Sequence, residues 1–151
     1  MRDISIRSLA ILFAFVAGAS VAAPYDDRAD AKGAIRAAQQ QAIKGERKLL
    51  LIFGANWCED CRALDTAMKA GRNAALIARE FEVVKIDVGK FDRNLDIAAV
   101  YGNPIKKGIP AAVILSAKSE VLYATRAGEL ANARRMSESG IYEFFVAAAK
   151  R

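Results

Sequence analysis

Apolar residues fall into two kinds of segment along this chain. Continuous apolar runs occupy residues 48–55 (KLLLIFGA) and 109–117 (IPAAVILSA), and runs of this length indicate strands buried on both faces. Residues 82–88 (EVVKIDV) and 121–127 (VLYATRA) are rich in strand-forming residues and predict two more strands. The polar residues 118–120 (KSE) separate the last two strands, which therefore form a hairpin.

Other segments place apolar residues at helical spacing. Residues 26–48 predict an amphipathic helix that ends near Gly45. A second helix begins at the sequence CEDC and is expected to stop at Gly71, with helical structure resuming after the break in residues 73–81. Two further helices are predicted at residues 94–102 and 139–150.

The order of these elements is helix, strand, helix, strand, helix, strand, strand, helix. Alternating strands and helices followed by a hairpin and a closing helix predict an α/β domain with a central mixed four-stranded sheet. Helices flank this sheet, and one extra helix precedes the first strand.

The start of the chain is typical of an exported protein. Two arginines precede an apolar run over residues 9–22, and small residues follow it. This pattern predicts a signal peptide over residues 1–22, with cleavage after Ala22 or Ala23, and a single domain over residues 23–151. The alternative is an uncleaved N-terminal anchor. Export places the domain in the periplasm or outside the cell, where disulfides persist.

Composition excludes several function classes. The formal net charge is +6, but no basic run is interleaved with aromatic residues, so nucleic acid is not an expected partner. The chain has no histidine, which excludes Ser-His-Asp and Cys-His nucleophiles and histidine-containing zinc sites. Two cysteines alone do not complete a structural zinc site, so neither a metal nor a cofactor is expected.

The two cysteines, Cys58 and Cys61, flank two residues at the predicted junction of a strand and a helix. The helix dipole and free backbone N–H groups lower the pKa of a thiol at such a helix start. Cys58 is then the attacking thiol, and the more shielded Cys61 resolves the mixed disulfide. A purely structural disulfide is the alternative, although such a short loop removes little chain entropy.

The residues around the cysteines indicate the direction of electron flow. Glu59 and Asp60 suit the first turn of a helix, but each repels a nearby thiolate by about 1 kcal/mol, partly offset by Arg62. If the thiolate form is destabilised by about 1 kcal/mol, the redox potential falls by about 20 mV. Glu59, Asp60 and Arg62 are therefore possible modulators of the thiol pKa, and the net effect of the acids favours a reductant or isomerase rather than a dedicated oxidant.

The segments FGANWCEDCRALD, VVKIDV and GIPAAVIL together resemble the thioredoxin family, and more narrowly exported bacterial thioredoxin-like proteins. The resemblance covers roughly residues 48–127. It implies a cis peptide bond before Pro110, backbone groups of Ile109 that pair with an extended substrate, and Trp57 as a contact surface. Without the resemblance, the proline reads as trans and the tryptophan as a corner-filling aromatic.

Two departures from the family pattern concern proton transfer. Thioredoxins carry a buried aspartate six residues before the first cysteine and a lysine near it from the next strand, and these positions correspond here to Ile52 and Val83. The family's Gly-Pro between the cysteines is replaced by the acidic pair. Proton transfer from Cys61 then needs water or another group, for which Asp60 is a candidate by proximity.

The sequence therefore predicts an exported thiol–disulfide oxidoreductase that reduces or isomerises disulfides through Cys58 and Cys61. Its expected partners are protein or small-molecule disulfides and, by analogy with the family, a membrane thiol electron donor. A non-enzymatic binding module with a closed disulfide is the main alternative. Metal handling by the two thiolates is a weaker one.

Overall fold

A computed structural model of the chain describes residues 23–151. Four strands form one sheet in the order β2-β1-β3-β4, with β1 parallel to β2 and antiparallel to β3, and with β3 antiparallel to β4. This is the predicted mixed four-stranded sheet. The strands are β1 (Lys48–Gly54), β2 (Phe81–Asp87), β3 (Ala111–Leu115) and β4 (Val121–Ala124).

Five α-helices flank the sheet in the described residues, and the first of them is the predicted extra N-terminal helix. Two short 3-10 turns lie at Pro104–Lys107 and Ala133–Arg135. The predicted signal peptide lies outside the described residues, and within residues 23–151 no helix has the length and apolarity to cross a membrane. The helices are α1 (Ala31–Lys44), α2 (Glu59–Met68), α3 (Gly71–Glu80), α4 (Leu95–Val100) and α5 (Glu138–Ala149).

Among the element boundaries that differ from the prediction, two have a local physical cause. Gly71 does not end the second helix but begins α3, with a φ of +47° that glycine adopts without strain. The last strand stops at Ala124 rather than residue 127. Beyond it, the Thr125 hydroxyl accepts a hydrogen bond from the backbone N–H of Ala112 at 3.1 Å, so a side chain takes over part of the strand pairing.

The core is built around β1. Its residues Leu50 to Phe53 are all at most 1 % exposed, although successive side chains of a strand point to opposite faces. Both faces of the sheet are therefore covered, which explains why this segment is a continuous apolar run. At the end of β1, the Gly54 carbonyl accepts a hydrogen bond from the Val88 N–H at 2.9 Å, which ties the strand end to the segment after β2.

Gly54 leaves room for two side chains at the end of β1. A methyl group on its Cα would overlap the hydroxyl and Cζ of Tyr25 and would lie 3.0 Å from the sulfur of Cys61. Tyr25 belongs to the segment before α1 and is only 2 % exposed. The absence of a side chain at Gly54 thus allows the N-terminal segment and α2 to meet at the strand end.

We expect Gly54→Ala to destabilise the protein by about 1–3 kcal/mol, because the added methyl group overpacks this junction. Gly140→Ala is the matched control, since the nearest atom to its added methyl group is 3.4 Å away and the site lies in α5; its effect should stay within about 1 kcal/mol. Urea unfolding of both variants measures the difference. Equal stability of the two variants would show that the junction is not close-packed.

Candidate active site

The two cysteines lie at the start of α2, shortly after the end of β1. Cys58 is the N-cap of α2, with extended backbone, and its sulfur accepts a hydrogen bond from the Cys61 N–H at 3.1 Å. A sulfur in this position faces the positive end of the helix dipole, which favours the thiolate. The two cysteines are joined by a disulfide, with Cα atoms 5.2 Å apart.

The two sulfurs differ in accessibility. Cys58 is 6 % exposed and borders a surface groove, whereas Cys61 is fully buried. An incoming disulfide therefore reaches Cys58 first. This asymmetry is what an attacking and a resolving thiol require, and the assignment of these roles remains a prediction.

The Ile109–Pro110 peptide bond is cis and precedes β3. The Ile109 carbonyl oxygen lies 3.7 Å from the sulfur of Cys58, across the groove. The resemblance implied both the cis bond and its position beside the cysteines. A contact between the Ile109 backbone and a substrate stays a prediction.

Trp57 stands at the rim of the groove with 53 % of its surface exposed, so it does not fill the strand–helix corner. Its indole N–H donates to the Gly89 carbonyl at 2.7 Å, and its ring meets Phe91 edge-on with 6.2 Å between centroids. Phe91 is a site residue that the sequence analysis missed. It is 43 % exposed and has a φ of +62°, which is uncommon for a bulky side chain.

The acidic pair has a partner that the sequence did not reveal. Arg134 forms ion pairs with both Glu59 and Asp60, and its backbone N–H donates to the Asp60 carboxylate at 3.0 Å. Arg62, expected to offset the acids, instead donates to the Asn56 carbonyl at 2.7 Å. The charges beside Cys58 are thus partly neutralised from a distant segment, which weakens the expected repulsion of a thiolate.

The strand register corrects the predicted position of the lysine. Ile52 pairs with Lys85 in the parallel ladder, whereas Val83 pairs with Leu50. The lysine on the neighbouring strand is therefore present, two residues after the position assigned from sequence. The error arose because a register between strands cannot be read from either strand alone.

Lys85 pairs with a carboxylate from α2 rather than with one from β1. It forms an ion pair with Asp65 of α2, which lies one turn after Cys61 and also binds Lys69 at 2.7 Å. The Asp65 side chain is only 11 % exposed. A buried carboxylate–lysine pair thus exists below the cysteines, with its acid supplied by the helix instead of by β1.

Tyr25 is a further residue that the sequence analysis missed. Its backbone N–H donates to the Asn56 side chain at 3.0 Å, and its carbonyl accepts from the same amide at 2.7 Å. The Lys85 ammonium lies 5.6 Å from the centre of its ring. Burial, together with the negative charge of Asp87, raises the pKa of the Tyr25 hydroxyl, so it stays protonated.

The groove beside Cys58 is lined by both apolar and charged side chains. The apolar ones are Trp57, Phe91 and Ile109, and the charged ones are the acidic pair and Arg134. Within residues 23–151 no group of three or more histidine, cysteine or acidic side chains is arranged to hold a metal.

The sequence profile of the thioredoxin-like family matches residues 30–117, more than half of the chain. The chain belongs to the thioredoxin-like family. The profile spans both cysteines and the cis-proline, and the sheet and helices described above have the thioredoxin-like arrangement. The fold predicted from the sequence is thus confirmed.

Solved structures agree with this placement. A disulphide isomerase from Xylella fastidiosa Temecula1 is 51 % identical, with a TM-score of 0.83, and the match covers 85 % of this chain and 98 % of that one. A thioredoxin from Thermus thermophilus is 16 % identical, with a TM-score of 0.56 and coverages of 75 % and 82 %, and shows the shared fold. No curated protein matches the sequence. Family membership and the disulfide at the helix start support thiol–disulfide oxidoreductase chemistry.

The buried lysine generates a pH-dependent prediction. Burial lowers the pKa of Lys85 from 10.5 to about 8. In the unfolded chain the Lys85 ammonium keeps its proton up to about pH 10.5. Between about pH 8 and pH 10.5 the unfolded state therefore binds more protons than the folded state, and the unfolding free energy rises with pH. We expect the unfolding free energy of the parent, relative to Lys85→Met, to increase across this window.

Denaturant unfolding at several pH values measures this difference. Lys90→Met is the control for the loss of one lysine charge, since Lys90 is exposed after the end of β2. A parent-minus-variant difference that is flat across the window would contradict the buried, easily deprotonated lysine.

Proposed function

We propose that this chain is an exported thiol–disulfide oxidoreductase that reduces or isomerises disulfides, with Cys58 attacking and Cys61 resolving. The observation that carries the proposal is the disulfide at the N-terminus of α2, facing an open groove beside cis-Pro110. In this arrangement a thiolate at Cys58 is stabilised by the helix start and is reachable from solvent. Cys61 lies close enough to close the ring and release the product.

The direction of electron flow is argued from the charges around Cys58. A strong oxidant owes its potential to a highly stabilised thiolate. Here Glu59 and Asp60 still lie in the first turn of α2, although Arg134 compensates part of their charge. We therefore expect a potential in the range of reductants and isomerases. The 51 % identical relative is named a disulphide isomerase, which supports the same range.

Export is proposed from the N-terminal pattern of residues 1–22, which is typical of a signal peptide. A reductant or isomerase in an oxidising compartment needs a supply of electrons. We therefore propose protein or small-molecule disulfides as substrates and a membrane thiol as the electron donor.

The first test combines activity and potential. The protein over residues 23–151, reduced by dithiothreitol, is expected to accelerate insulin reduction, and Cys61→Ser should trap mixed disulfides through Cys58. Equilibration with glutathione should give a potential between about −180 and −270 mV. A potential of about −120 mV, typical of a strong oxidant, would contradict the proposed reducing or isomerising direction.

The alternatives predict other outcomes in the same experiments. A binding module would fail to reduce insulin, and its partner binding would survive replacement of both cysteines by serine. Metal handling would appear as stoichiometric metal binding by the reduced protein that is lost in the Cys58→Ser variant. A double variant, Cys58→Ser with Cys61→Ser, is the control for reactions that do not use these thiols.

Phe91 offers a test of substrate contact. Its exposed ring lies beside Trp57 on a left-handed backbone that is retained at an energetic cost, which suggests a role in binding peptide side chains next to the disulfide. Phe91→Asn removes the ring and suits the left-handed backbone. We expect kcat/KM for a peptide disulfide to fall about three- to tenfold, while reaction with a small aromatic disulfide is unchanged.

Ile43→Asn is the matched control, because Ile43 is 48 % exposed on α1. It should leave both rates unchanged. Equal loss of both rates in Phe91→Asn would instead indicate damage to the cysteines, and no loss of either would remove Phe91 from the substrate surface.

A further inference from the structure

The Tyr25 hydroxyl is a buried polar group without a hydrogen-bond partner in the described residues. The whole residue is only 2 % exposed. Buried hydroxyls are almost always paired, so an unpaired one calls for an explanation. Phenylalanine would fill the same space without this cost.

The position of the hydroxyl supplies the explanation. It occupies the space above Gly54 that it shares with the sulfur of Cys61. The two bonds between the Tyr25 backbone and the Asn56 side chain fix the residue in the loop that leads into the cysteines. The hydroxyl is therefore held beside the resolving sulfur by the active-site loop itself.

The acceptor strength of that sulfur changes with redox state. In the disulfide, the sulfur of Cys61 is a weak acceptor, whereas a thiolate is a strong one. We infer that Tyr25 is a catalytic residue whose hydroxyl donates a hydrogen bond to the Cys61 thiolate once the disulfide opens. The inference rests on the proposed role of Cys61 as the resolving thiol.

Other groups near Cys61 are less suited to this task. The position of the family's buried aspartate holds Ile52, and the Asp60 carboxylate is bound by Arg134. Asp65 lies on the same helix but is engaged by two lysines. A carboxylate would in any case repel a thiolate, whereas a neutral phenol stabilises it.

The hydroxyl contributes to the resolving step as follows. Cys61 releases its proton to solvent, and its thiolate attacks the Cys58 sulfur of the mixed disulfide. The Cys58–Cys61 bond forms, the bond from Cys58 to the substrate sulfur breaks, and the departing substrate thiolate takes a proton from solvent. The phenol proton stays on Tyr25 throughout and stabilises the charge on Cys61 before the attack.

The test isolates Cys61 by titrating its thiolate absorbance in Cys58→Ser protein, with and without Tyr25→Phe. The charged groups around the hydroxyl, Lys85 with Asp65 and Asp87, are the same in both proteins, so their own titrations cancel. Losing a hydrogen bond to a charged group should reduce the thiolate fraction at neutral pH about tenfold or more. Superimposable titration curves would overturn the inference.

Tyr142→Phe in the same background is the control, because Tyr142 lies on α5 with Arg72 over its ring. It should leave the titration of Cys61 unchanged. Tyr25→Phe should not lower the thermal midpoint of the oxidised protein, since the lost hydroxyl has no partner in that state. A purely structural tyrosine would move the midpoint and not the titration.

A second measurement needs no substitution at Tyr25. In protein with 13C-labelled tyrosine, the Cζ resonance of Tyr25 should shift when the disulfide is reduced, and that of Tyr142 should not. An unchanged Tyr25 resonance at a pH where Cys61 is ionised would overturn the inference. If both signals behave as expected but insulin is not reduced, the hydrogen bond stands and the proposed enzymatic function fails.

Discussion

The burial of β1 on both faces and its pairing with strands on both edges is the constraint on which the site depends. Because the strand cannot shift, its end fixes where Cys58 starts α2 and where Gly54 leaves space for neighbouring side chains. Its pairing with β3 carries cis-Pro110 to the edge of the same groove, and its pairing with β2 sets Lys85 beside Ile52. A one-residue slip of β1 would turn its own side chains, including Ile52, to the opposite faces of the sheet.

The chemistry of the site is divided between its surface and its interior. At the surface, the Cys58 sulfur accepts a backbone N–H and faces the positive end of the helix dipole, while Arg134 offsets part of the charge of the acidic pair. In the interior, Cys61 is buried in the disulfide form, so the stability of its thiolate depends on the few polar groups nearby. β1 carries Ile52 at the position of the family's buried aspartate. The buried Tyr25 hydroxyl and the ion pair between Asp65 of α2 and Lys85 of β2 lie near that position.

Stability and function pull in opposite directions at two aromatic residues. Phe91 keeps a left-handed backbone and an exposed ring, and Tyr25 keeps a buried hydroxyl without a partner. Either feature costs free energy that a glycine or a phenylalanine would avoid. Both residues lie within one layer of side chains of the cysteines, which is where such costs are commonly retained.

Local patterns determined much of this protein. The strands, the helices and the cysteine pair at a helix start could be read from the sequence, because each depends on neighbours a few residues away. The cis bond before Pro110 was implied only by the resemblance to thioredoxins. Only the tertiary structure decided the partners across the sheet and between segments. Arg134 for the acids, Lys85 in place of Val83 and Tyr25 against Cys61 are all long-range contacts, and no periodicity or spacing encodes the register that creates them.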